Sequence, residues 1–247
     1  MSNSRSERRR QTRGGSAPPP RRDPMTMVYV SAGALVVVVV AIFAIMNWTQ
    51  QRRLMAAYAT PTPAPSVAYT GKPIQLTDGE TIGKPTFKLS KAGLPDTPTG
   101  GQGQPLDGMT CGGMEYNTLH THTHLAIFDH GTQVAVPRLV GAAPVPPQGC
   151  LYWTHTHSMD GIIHVESPVV APEGSSGFSL GMFFDVWGQP LTRDDVAGLK
   201  GPVIAYVNGV PYDGDLRSIP LRSHQQIVLE IGTPTVPPPQ YIFPPGD

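Results

Sequence analysis

The hydrophobic pattern of this chain changes character sharply after its first apolar run. From Met27 to Met46, twenty residues carry no charge and include five consecutive valines, Val36 to Val40. At 1.5 Å rise per residue a helix of that length covers about 30 Å, the thickness of a hydrocarbon core. In lipid the backbone must satisfy its own hydrogen bonds, so even a valine-rich run becomes helical and a transmembrane helix is predicted over 27–46. After residue 60 helical periodicity nearly vanishes. The one short helix suggested is Thr192–Leu199, with Thr192 as N-cap and Asp194 and Asp195 in the first turn. Strand patterns recur at Leu119–Phe128, Gln133–Val136, Leu151–His157, Ile162–Glu166, Val203–Val207 and Ile227–Ile231. The run from Met182 to Trp187 also reads as strand. Turn dipeptides Asp160-Gly161, Asn208-Gly209 and Asp213-Gly214 separate these segments. The expected fold is mainly β, an antiparallel sandwich or small barrel, with one N-terminal transmembrane helix.

Composition supports this: 27 Gly and 28 Pro in 247 residues argue against a mainly helical protein. The formal net charge of zero hides an asymmetry. Residues 1–24 hold seven arginines against Glu7 and Asp23, a net of +5, which leaves eleven bases and sixteen acids, −5, for the remainder. Arginines before an apolar span hold that end in the cytoplasm, so the rest of the chain is expected outside. The nearest Ala-x-Ala triplet, Ala57 to Ala59, stands beyond Arg52 and Arg53, a poor place for signal cleavage, and an uncleaved anchor is expected. Topology accounts for the arginines, and the tail has no aromatic residue for stacking, so no nucleic-acid partner is expected.

The resulting organisation is a disordered basic cytoplasmic tail (1–24), the transmembrane helix (27–46) and a Pro-rich stalk (47–70). An exported β domain (71–235) and a Pro-rich tail (236–247) follow. On the exported side thiols are usually oxidised, so Cys111 and Cys150 are expected to form a disulfide.

Six of the eight histidines fall in two groups: His120, His122 and His124, then His155, His157 and His164. Alternate residues of a strand share a face, so each set projects together. If Asp160-Gly161 is a two-residue hairpin turn, Met159 pairs with Ile162, His157 faces His164 and His155 faces Glu166. Thr154, Thr156, Ile163 and Val165 then point to the opposite face. Imidazoles on neighbouring strands converge readily on one ion, and Glu166 is a candidate fourth ligand, ring partner or general base. Asp160 is a second candidate base. Zinc or copper suits such a site best, iron or manganese is possible, and Met159 and Met114 would favour copper. His224 is a weaker candidate ligand, and His130, in an Asp-His-Gly turn, is expected in solvent. Ser179 lies in a Gly-x-Ser-x-Gly match without the strand and helix that a nucleophile elbow needs.

The runs Cys150–Pro168 and Ser179–Gly188, and His122-Thr-His124 followed by a strand and a glycine, resemble an uncharacterised family of membrane-anchored bacterial envelope proteins. The resemblance covers roughly 105–235 and implies an envelope setting, with no activity attached. The function expected is an extracytoplasmic, membrane-anchored protein binding a transition metal. The alternative is an envelope module binding a protein or cell-wall partner through Phe183, Phe184 and Trp187.

Overall fold

The computed structural model describes residues 24–59, 72–75, 80–87, 99–113, 115–145 and 148–247. The basic tail before Pro24, the Pro-rich run 60–66 and Met114 lie outside them. Helix α1 spans Pro24–Ala59. Proline suits a first helical position, where its missing N–H would have no partner. The helix extends well past Met46 into the stretch expected as stalk, which corrects that boundary. Asn47–Ala59 contains no Gly or Pro and is rich in Ala, Gln, Arg, Leu and Met, all compatible with helix. Pro61 disfavours helical geometry at Thr60, and α1 stops just before it. Within α1, Gly33–Arg53 is long and apolar enough to cross a membrane.

The β domain comprises β1 (Ile74–Gln75), β2 (Cys111–Gly112), β3 (Leu119–Asp129), β4 (Thr132–Val134), β5 (Ala142–Ala143), β6 (Cys150–Tyr152), β7 (Thr154–His155) and β8 (Ile162–Ser167). Helix α2 (Leu180–Trp187) follows. The remaining strands are β9 (Asp195–Val196), β10 (Leu199–Lys200), β11 (Val203–Val207), β12 (Val210–Pro211), β13 (Gln225–Ile231) and β14 (Tyr241–Ile242). The main sheet runs β12-β11-β13-β3-β8-β7, with β4 also paired to β3. Its pairings are antiparallel except β13 with β3, parallel from Gln225↔Thr123 to Ile231↔Asp129. The sheet is therefore mixed rather than purely antiparallel. A parallel pair needs a long crossover, which here contains α2 and the small strands around it.

Period-two alternation gives this sheet two distinct faces. Leu119, Leu125 and Ile127 of β3, Ile163 and Val165 of β8, and Ile227, Leu229 and Ile231 of β13 enter the main core. From α2, Leu180, Phe183, Phe184, Val186 and Trp187 join the same cluster, each at most 1% exposed. Burying each such large side chain contributes roughly 1.5–3 kcal/mol. The even-numbered residues of β3 face the other way, with Ala126 and Phe128 packed on Val228 at one end and the histidines at the other.

Two local expectations are corrected here. Met182–Trp187 is helical, not extended: Ser179 caps its start, its hydroxyl accepting from Met182 N at 3.5 Å, and Gly188 takes the left-handed C-terminal position at φ +73°. The hydroxyl in the Gly-x-Ser-x-Gly match is thus used as a cap. Conversely, Thr192–Leu199 is not a helix. Asp195 accepts from Gly198 N at 2.9 Å, Ala197 and Gly198 have positive φ, and β9 pairs antiparallel with β10. Asp and Thr there serve a turn, a role they fill as readily as a cap.

The Pro-rich tail is part of the domain rather than an appendage. β14 pairs parallel with β1, and Tyr241 is 2% exposed, packed with Ile82 and Ile162. Cys111 and Cys150 are disulfide-bonded, with Cα atoms 5.3 Å apart, joining β2 to β6 in a three-stranded sheet, β2-β6-β5.

Candidate metal centre

The two histidine groups lie on adjacent strands of one sheet. In the β3–β8 ladder His120 is opposite Glu166, His122 opposite His164 and His124 opposite Ile162. On the far side of β8, His155 of β7 is opposite His164. All of these residues share a face because side-chain direction alternates along a strand.

The hairpin register differs from the expected one by two residues. Thr154 pairs with Val165 and His155 with His164, so His155 does not face Glu166, nor His157 His164. The expected strand Leu151–His157 is broken at Trp153 and ends at His155. A two-residue loop is not formed: Asp160 instead accepts from Ile162 N at 2.9 Å and from the Ser158 hydroxyl, building a longer turn around its own carboxylate. A shift of two preserves face parity, so the inward set survives while Thr154, Ile163 and Val165 stay fully buried on the core side.

Gly161 fixes where this turn sits. Its φ is +85°, its carbonyl accepts from Leu125 N at 2.8 Å, and a Cβ there would lie 2.5 Å from Leu125 O and 3.0 Å from His124 Nε2. Gly161→Ala should lower stability by at least about 2 kcal/mol, from the left-handed conformation and the displaced ladder. That corresponds to roughly 4–8 °C in melting temperature for a domain of this size. An alanine variant that melts with the parent would contradict this packing of the turn on β3.

Five imidazoles and one carboxylate converge. His120, His122, His164 and Glu166 form one set, and His155, His157, His164 and Glu166 another; within each, the candidate ligand atoms lie within 4.8 Å of one another. Nε2 of His120 is 3.1 Å from Nε2 of His122, and Nε2 of His155 is 3.3 Å from Nε2 of His157. Four ligands held tetrahedrally at about 2.0–2.1 Å from zinc stand about 3.3 Å apart, so both pairs already have the spacing of a metal's ligand shell. Glu166 Oε1 lies 3.2 Å from His120 Nε2 and 3.4 Å from His164 Nδ1; its Oε2 lies 3.8 Å from His155 Nε2. Glu166 Oε2 and His164 Nδ1 are buried without a hydrogen-bond partner. Buried polar atoms are rarely left so, and a cation between them would satisfy both.

The surroundings leave these groups able to hold a metal ion. His155 is fully buried, and its Nδ1 lies 2.9 Å from the Tyr152 carbonyl. A carbonyl only accepts, so Nδ1 carries the hydrogen and Nε2 presents its lone pair to the cluster. Burial, reinforced by the neighbouring His164, pushes His155 and His122 down to about 3, so both are neutral at physiological pH. Burial would raise the Glu166 carboxyl, but the His157 and His164 rings beside it hold it well below the usual range. That same carboxylate raises His157 against the effect of burial, assisted by Glu115 and Asp160. Proton competition for that ligand set therefore includes His157: below its raised pKa it is protonated and a metal must displace the proton. As pH falls, apparent affinity should begin to decline above pH 6.5, the ordinary imidazole value, and keep falling below it. Metal release followed between pH 8 and pH 5 checks this, and pH-independent retention would contradict it.

Two histidines expected as candidates stand apart. His124 is buried, but its Nε2 is 3.1 Å from the Asp160 carbonyl and its ring stacks on Tyr241 at 3.7 Å between centroids. His224 is likewise engaged elsewhere, with Nε2 2.7 Å from the Asp247 main-chain oxygen and its ring stacked on Phe243. His130 is exposed, as expected, and lies 2.7 Å from the Asp129 carboxylate. Sequence reasoning missed Glu115, whose carboxylate is 3.5 Å from His157 Nε2 at the rim. It also missed the tail: Pro244, Pro245 and Asp247 form one wall of a cleft of ≈ 370 Å³ that reaches His157 and His164. No periodicity in either segment marks them as neighbours of the histidines. Comparison with known proteins finds no matching protein-family model, curated protein or solved structure.

Proposed function

We propose that this chain is a membrane-anchored, extracytoplasmic protein whose β domain binds a transition metal, zinc or copper ahead of iron or manganese. Its ligands are His155, His157, His164 and Glu166, with His120 and His122 alongside. The observation that carries this reading is the convergence of five imidazoles on a buried carboxylate, with Glu166 Oε2 and His164 Nδ1 making no hydrogen bond. Imidazole-rich donor sets suit zinc and copper, and a carboxylate with several nitrogens also admits iron and manganese. An N-terminal apolar helix long enough to span a bilayer and a disulfide in the β domain support an anchored protein in an oxidising compartment. The arginine-rich start supports a cytoplasmic N-terminus. Phe183, Phe184 and Trp187, which a partner-binding module would have used as its contact, are buried in the core.

The cleft beside His157 and His164 lets small molecules reach the site. The test is elemental analysis of the full chain in detergent, purified without a histidine tag, before and after loading with each of the four metals. At least one tightly held equivalent is expected, and the His155→Ala/His157→Ala double variant should hold one fewer. Retention of none of the four after desalting would end the metal reading.

A further inference from the structure

We propose that the cluster holds two metal ions bridged by the Glu166 carboxylate, an inference that rests on the metal-binding reading above. The cluster is built as two matching halves. One half pairs buried His122 with His120, whose side chain is 42% exposed; the other pairs buried His155 with His157, 44% exposed. In each half the two Nε2 atoms point at one another at metal-ligand spacing, 3.1 Å and 3.3 Å. Glu166 lies between the halves: Oε1 is 3.2 Å from His120 Nε2 and 4.0 Å from His157 Nε2, and Oε2 is 3.8 Å from His155 Nε2. His164 also belongs to both sets, its ring centroid 4.6 Å from that of His122 and 4.3 Å from that of His157.

Donor count favours two ions over one. A single tetrahedral ion takes four donors. Whichever half it occupied, the other would keep a buried imidazole and an exposed one facing each other across an empty ligand position. Two ions use every group: each takes two imidazoles and one oxygen of Glu166, and His164 completes the shell of one of them. The other keeps three protein ligands and an open position, the arrangement in which a metal accepts an outside ligand. A carboxylate binding through both oxygens suits ions about 3.5–4 Å apart, the separation of two-metal sites. The buried, unpartnered Oε2 is the atom that a one-ion site centred on His120 and His122 would leave without a role.

The experiment uses the full chain in detergent, stripped with a chelator and reloaded separately with zinc and with copper(II), then desalted. Two equivalents of zinc per chain are expected, falling to one in His120→Ala/His122→Ala and to one in His155→Ala/His157→Ala. Copper-loaded parent should show spin coupling between its two ions in the electron paramagnetic resonance spectrum, a readout that needs no variant to fold. Saturation at one equivalent, or two coppers that are magnetically isolated, overturns the shared centre while leaving metal binding intact. No retained metal at all overturns the functional reading itself.

Discussion

His155→Ala should lose a full equivalent of bound zinc relative to the parent, whereas His124→Gln should keep the parent's metal content. The two histidines look alike in the sequence, each ending a His-Thr-His alternation or beginning one, and both are buried. Their second ring nitrogens distinguish them. In His155 the Tyr152 carbonyl takes Nδ1 and leaves Nε2 aimed at His157 and Glu166. In His124 the Asp160 carbonyl takes Nε2, and stacking on Tyr241 holds the ring away from the cluster. Loss of groups that only orient a ligand typically costs 10–100-fold in metal affinity, so loss of a ligand should cost at least about a hundredfold. Glutamine at 124 can still donate to the Asp160 carbonyl, and its effect should stay below about tenfold. Dialysis against graded zinc followed by elemental analysis separates the two. Equal losses in both variants would place His124 in the ligand shell and contradict this assignment.

The face that carries the candidate metal ligands was legible in the sequence because a strand repeats every two residues. His120, His122, Glu166 and His164 obey that repeat whatever the hairpin register, and a two-residue slip at Asp160 left it unchanged. What could not be read was that β3 and β8 are neighbours. Thirty residues, 125–154, separate the two histidine groups, and nothing local to either names the other as its partner across the ladder. Helix α2 was misread for a different reason. Its residues are apolar nearly all round because it is packed on several sides, which removes the polar stripe that marks a helix. The marks left were its ends, Ser179 and Gly188, and these weigh little against a run of large apolar residues broken only by Asp185. The tail's extended path was legible, since proline-rich composition predicts one and β14 follows one. Composition is silent on whether such a segment is docked, and Tyr241 docks it.

Replacing both cysteines by serine should lower the stability of the β domain by about 4 kcal/mol, the chain-entropy value for a loop of about 40 residues. At roughly 2–4 °C per kcal/mol, the melting temperature should fall by about 8–16 °C. The bridge lies close to the candidate metal centre along the chain. It ties β2 to β6, and β6 is separated from β7 by Trp153 alone, so Cys150 stands five residues before His155 and two before Tyr152, whose carbonyl orients the His155 ring. Loosening β6 therefore acts on both fold and site. Metal at a hundred times its dissociation constant should restore about 2.7 kcal/mol, because the ion binds the folded cluster and not the unfolded chain. Thermal melts of parent and Cys111→Ser/Cys150→Ser, each with and without zinc, measure the four corners of this linkage. The metal-induced rise should be smaller in the variant, since a displaced Tyr152 carbonyl weakens its hold on His155. An equal rise in both would show that the disulfide stabilises the domain without positioning the ligands.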